Sequence, residues 1–126
     1  MLEPKPFFKN MQFVQEIAFK NKDVHRHDLG IDHFGFILSS HILARTQYEY
    51  QIQFAGKVDQ TLCLEYSLRP LQEKEIEERL EFIKLNQEQF ISFIIDLNDR
   101  PELQSYHIVE APCVIDYRQT PSFQTT

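Results

Sequence analysis

Tyr48, Tyr50, Ile52 and Phe54 alternate with Gln47, Glu49, Gln51 and Gln53 without a break. That period of two marks a strand over 46–54 with one dry and one wet face. Leu62, Leu64, Tyr66 and Leu68 then alternate with Thr61, Cys63, Glu65 and Ser67. With Ala55-Gly56-Lys57-Val58-Asp59 as the turn, the two runs predict an antiparallel hairpin. Upstream, Phe34, Phe36 and Leu38 alternate as a strand would, while Phe34, Ile37, Leu38 and His41 also suit a helix. Gly35 would cost a helix interior about 1 kcal/mol, which favours a strand at 33–39 and leaves a helix over 31–45 as the alternative.

Other stretches carry the helical period. Phe7, Met11, Val14 and Ala18, widened by Phe8 and Ile17, predict a helix over 7–21. The run from Asn21 to Gly30 has no apolar period and reads as a loop. Pro70 suits the opening of a helix, where its missing N–H does no harm. Ile76, Leu80, Ile83, Phe90, Ile94 and Leu97 follow at steps of three and four, with a polar stripe opposite. One helix that long would reach roughly 40 Å, so a kink near Asn86 or a protruding end is expected. Its second half is apolar on most of its circumference, which suits the core or a dimer interface. Beyond Asn98-Asp99-Arg100-Pro101, Tyr106, Ile108 and Glu110 and then Cys113, Ile115 and Tyr117 predict one or two strands, at an edge or bulged because Pro112 lies between them.

The predicted fold class is therefore α+β: an antiparallel meander of about three strands plus one or two C-terminal strands, packed by one long helix and an N-terminal helix. At 126 residues the chain is the size of one domain, expected over 7–118, with a flexible arm at 1–6 and a disordered polar tail at 119–126.

Charge narrows the partners. Thirteen Lys and Arg against 19 Asp and Glu leave a net charge of -6, a field that repels phosphate backbones and steers in basic proteins. Direct binding to nucleic acid is not expected. The opening residues lack a secretory pattern and no run is apolar enough to span a bilayer, so the expected location is the cytoplasm and no membrane partner is foreseen. Two cysteines do not make a disulfide framework, and reduced thiols follow.

Candidate chemistry is sparse. His25, His27, Asp28, Asp32 and His33 place three imidazoles and two carboxylates within nine residues, residue types that hold zinc or iron when they converge; a polar loop whose Asp28 or Asp32 caps the next element is the preferred reading. His41 and His107 stand alone. Neither cysteine adjoins a helix start, and Gly30, Gly35 and Gly56 cannot form a phosphate-cradling loop. No cofactor is expected. Phe34, Phe36, Tyr48, Tyr50 and Tyr66 would line one sheet face, as core or as the wall of an apolar ligand pocket.

The resulting expectation leans away from catalysis. It is a non-enzymatic acidic protein-binding module, of the immunity-protein, chaperone, inhibitor or regulatory kind. It would act through Glu75, Glu77, Glu78 and Glu81 on the acidic helix and through Gln51 and Gln53 on the sheet, toward a basic protein partner, and it is compatible with a homodimer. The alternatives are a metal-dependent enzyme or metal-binding regulator built on the His25–His33 loop, and a sensor of a small apolar ligand.

Overall fold

A computed structural model describes residues 6–19, 26–44 and 47–108. Among these residues six strands, β1 (Phe13–Phe19), β2 (Arg26–Asp28), β3 (Phe34–Ala44), β4 (Gln47–Phe54), β5 (Thr61–Leu64) and β6 (Leu68–Pro70), precede two helices, α1 (Glu73–Leu85) and α2 (Ile91–Asn98). Every strand pairing is antiparallel. An α+β chain with an antiparallel sheet is thus the observed class.

The sheet curls back on itself. Along one edge of β1 lie β3, with Phe13 opposite Phe36, and beyond it β2, with Ile17 opposite Asp28. Next come β4 and β5. A short 3-10 turn, Glu65–Ser67, carries the chain from β5 into β6, which pairs with the other edge of β1, Gln15 facing Arg69. This return brings the two ends of the sheet together.

Curling buries both faces. On the concave side Phe8, Val14, Ile37, Tyr50, Ile52, Phe54, Cys63 and Leu68 fill the interior. On the convex side Phe13, Phe34 and Phe36 pack beneath Ile76, Leu80, Ile83, Phe93 and Leu97 of the helices. Phenylalanine rings dominate that layer: Phe13 stacks on Phe34 at 5.4 Å, and Phe93 lies 6.0 Å from Phe34 and 5.6 Å from Phe36. Neighbours in sequence such as Phe13 and Val14, or Phe36 and Ile37, therefore go to opposite cores.

The predicted helix at 7–21 is replaced by a turn and a strand. Met11 has φ 67, a left-handed conformation no helix interior adopts, and Gln12 N–H closes the turn onto Lys9 O at 3.1 Å. A strand with both faces buried has no wet alternate positions, so its apolar residues fell by coincidence at helical spacing. The 31–45 ambiguity resolves as a strand for a steric reason. A Cβ on Gly35 would sit 2.1 Å from Gln53 O, so β3 and β4 approach closely at that point.

Pro70 closes β6 rather than opening a helix. Helix α1 begins at Glu73, after Gln72 N–H bonds Glu75 Oε1 at 3.0 Å. The helical run is interrupted at Asn86, whose Nδ2 donates to Phe82 O at 2.8 Å before a 3-10 turn, Gln87–Phe90, leads into α2. Tyr106 ends a further 3-10 turn, Pro101–Tyr106, and is not in a strand. Asn98 fixes Ile108, two residues on, accepting from its N–H at 3.0 Å and donating to its carbonyl O at 2.9 Å. The strand expected over 113–117, residues 1–5 of the arm expected at 1–6 and the tail expected at 119–126 lie outside the described residues.

Candidate functional site

Helix α1 lies between two grooves, and its period explains why. Ile76, Leu80 and Ile83 face the sheet, so residues on either side of that stripe become the walls of clefts against neighbouring elements.

The first groove lies between α1 and the Pro101–Tyr106 turn. It holds about 300 Å³ and is lined by Glu73, Glu77, Glu81 and Lys84, with Leu80 and Ile108 as apolar floor. The three glutamates recur at steps of four and so stack along one side of the helix for about 12 Å. Tyr106 forms the far wall. Its hydroxyl donates to Glu73 Oε1 at 2.7 Å, and that bond to a carboxylate raises the phenol above its ordinary range. Glu77 and Glu81 make no ion pair among the described residues. His107 also lines the groove, its Nε2 lying 2.9 Å from Arg100 O.

The second groove, about 400 Å³, lies between α1 and the loop after β2, with Leu29, Ile31 and Phe82 as its apolar wall and Gln15, Glu78 and Arg79 as its polar one. A charged lattice closes its end. Arg69 grips Asp28 in two bonds, Nε to Oδ1 at 2.7 Å and one terminal nitrogen to Oδ2 at 2.8 Å, and also reaches Glu75 Oε2 at 2.7 Å. Arg79 adds a bond to Asp28 Oδ2 at 3.2 Å and donates through Nε to Gln15 Oε1 at 2.9 Å. The Arg69 guanidinium holds Asp28 below its usual value and, with the Gln72 N–H, lowers Glu75 to about 2. These bonds clamp β2, β6 and α1 together.

The expected partner-binding residues are divided by this geometry. Glu77 and Glu81 share the first groove, joined by Glu73, which had not been singled out. Glu78 lines the second. Glu75 is held by Arg69 and caps its own helix. Gln51 is half-buried and accepts a 3.2 Å bond from Ser39 Oγ. Gln53 is no surface residue: it is buried, its amide donating to Lys57 O at 2.9 Å. The convex face at the end of β4 is covered, so the strict wet–dry alternation fails there.

The histidine loop is also dispersed. His27 is exposed, Asp28 is engaged by two arginines, and Asp32 packs at Gly56. His33 Nδ1 lies 2.8 Å from Glu16 Oε1, and His25 lies outside the described residues. No group of three or more His, Cys, Asp or Glu placed to hold a metal ion occurs among the described residues. Of the aromatic set, Phe34 and Phe36 belong to the convex core, Tyr48 and Tyr50 to the concave one, and Tyr66 is half exposed. Opposite faces separate them, so they do not line one pocket.

Two buried polar groups do structural work that periodicity did not reveal. Gln15, 1% exposed, donates to Leu29 O at 2.7 Å and Gly30 O at 3.2 Å while accepting from Arg79. Its signal was a lone amide inside an apolar run. Tyr50 sits at the mouth of the concave core, accepting from Phe7 N–H at 2.9 Å and Phe8 N–H at 3.2 Å and donating to Glu65. Burial and the Glu65 carboxylate push its phenol up to about 12. Cys63 is raised to about 12 as well, by burial first and then by the nearby Glu16 carboxylate, so it is no ready nucleophile. No helix among the described residues is long and apolar enough to cross a membrane. No protein-family model matches the chain, and no curated protein or solved structure is similar to it at a significant level.

Proposed function

We propose that the chain is a non-enzymatic binding module that takes a basic segment of a protein partner along the groove between α1 and the Pro101–Tyr106 turn. The observation that carries this reading is the row of Glu73, Glu77 and Glu81 above an apolar floor of Leu80 and Ile108. Carboxylates on a helix, two of them without an ion pair among the described residues, keep their charge available to a lysine or arginine. The apolar floor receives the stems of those side chains. The net charge of -6 steers such a partner inward. Compared with the expectation from sequence, the binding set loses Glu75 and Gln53, which serve the fold, and Glu78 and Gln51, which lie outside this groove, and gains Glu73.

The test is capture of the partner from the protein's own cells by a tagged chain, with mass spectrometry of what co-elutes. A basic protein retained by the wild type should be lost, or held about tenfold more weakly and with a flatter salt dependence, by the Glu73→Gln, Glu77→Gln, Glu81→Gln triple variant. Glu88→Gln, an exposed carboxylate outside this groove, should leave capture unchanged. Equal retention by the triple variant refutes the groove as the site.

A further inference from the structure

Strand β3 runs from Phe34 to Ala44, yet β1 pairs only with Phe34 to Phe36. Backbone bonds from Met11 N–H to Ile37 O at 2.6 Å and from Ile37 N–H to Gln12 O at 3.0 Å end that contact. From Leu38 to Leu43 the edge turned away from β4 has no strand partner among the described residues. A free edge presents unpaired N–H and C=O groups that another extended chain can join, and proteins ordinarily guard it with charges or proline. Leu38-Ser39-Ser40-His41-Ile42-Leu43 contains no Lys, Arg, Asp, Glu or Pro. Ile42 and Leu43 are 58% and 52% exposed.

We propose that two copies of the chain join along this edge, β3 against β3 in antiparallel sense about a two-fold axis, to form one sheet running through both subunits. Charge selects a second copy as the occupant. Each chain carries -6, so two copies meet with least repulsion through a surface that has no charge of its own. A two-fold axis lays the neutral segment against its own reverse, and no register brings like charges together within it. The basic partner proposed for the α1 groove finds nothing to pair with here.

A second exposed apolar group, Phe82, Leu85, Ile91 and Ile95 on the helices, is less suited to this role. Glu81, Glu88 and Asp96 are interspersed with it in sequence against Lys84 alone, so self-docking there gathers carboxylates. A helix surface also has its backbone bonds satisfied, whereas the donors and acceptors of a strand edge call for an extended partner. Register irregularities between Ile37 and Ser39 and between Ile42 and Ala44 bracket the stretch and confine regular pairing to Ser39–Ile42. The interface is therefore small, and the dimer should dissociate on dilution.

Sedimentation velocity of the full chain from about 1 to about 300 µM, a range suited to a small interface, together with hydrogen exchange at both ends of that range, tests the proposal. The expected result is a monomer–dimer equilibrium in which amide protection of residues 38–43 rises with concentration. Ile42→Lys should weaken self-association by about a hundredfold, since it places a charge on each side of the contact, while Ile95→Lys leaves it unchanged. Leu43→Lys serves as a second edge variant should the first fold poorly. A wild-type chain that stays monomeric throughout overturns the proposal. So does a dimer without added protection at 38–43, or one abolished by Ile95→Lys and kept by Ile42→Lys.

Discussion

Replacing Gly35 by alanine probes the closest approach in the sheet. The added Cβ would lie 2.1 Å from Gln53 O, 2.8 Å from Gln53 C and 2.9 Å from Phe54 Cα. All three are backbone atoms, so no rotamer change relieves the clash, and β3 must move away from β4 by about 1 Å to reach ordinary contact. That movement strains the pairing of Gly35 with both Phe54 and Val14 and loosens the Phe34 and Phe36 layer beside it. Overpacking a filled interior costs about 1–3 kcal/mol, and one weakened backbone hydrogen bond adds about 1 kcal/mol. Against this, an alanine restricts the unfolded chain and returns about 0.4–1 kcal/mol. The net expectation is a loss of about 1–3.5 kcal/mol, a large share of the roughly 5–15 kcal/mol that holds such domains together. Gly30→Ala is the internal control: nothing lies within 4 Å of its added Cβ, and its φ of -62 suits any residue. There only the unfolded-state effect remains, so that variant should be neutral or stabilised by up to about 1 kcal/mol. Urea unfolding followed by circular dichroism reads both. A Gly35→Ala midpoint within error of the wild type would refute the close β3–β4 approach, and with it the placement of Gly35 inside a central strand.

Two further outcomes follow from perturbed ionisations. Glu75 and Asp28 are both held below their ordinary values, Glu75 at about 2, so the unfolded chain binds protons there before the folded chain does. Their contribution is fully present above the unfolded value near 4 and is lost as pH falls toward about 2. Denaturant midpoints measured from pH 6 down to pH 2.5 should drop below about pH 4, and Asp28→Asn with Glu75→Gln should flatten that limb; an unchanged slope would show that the Arg69 clamp adds nothing to folding. Cys63, raised to about 12, is almost wholly protonated at pH 8. It should be alkylated by iodoacetamide far more slowly in the native protein than in urea, and native labelling as fast as that of the unfolded chain would contradict its burial.

The second half of the chain was the more legible part. The β4–β5 pairing, the apolar stripe of α1 and α2 and the break at Asn86 were readable from local period, although β5 buries Cys63 and exposes Leu62, the reverse of the alternation read from its sequence. Helix α1 exposes Glu77, Glu78 and Glu81, as its charge pattern predicted. Where an element is buried on two sides the period vanishes. Residues 13–19 present Phe13 and Val14 to different cores, so the run imitated a helix. Gln53 looked wet because its neighbours Gln47, Glu49 and Gln51 alternate with tyrosines and isoleucine, yet it is buried in the folded sheet.

By itself the sequence determined the α+β class, the acidic field and the lack of a recognisable catalytic motif, since these depend on residue type and local spacing. Tertiary structure alone decided that β6 returns to β1, that Glu75 and Asp28 are bound by Arg69 while Glu77 and Glu81 are not, and that β3 outruns its partner. Each of these depends on which distant segments meet. Pairing across 41 residues between Asp28 and Arg69 leaves no mark on local periodicity, because nothing in either segment specifies the other until the sheet has curled.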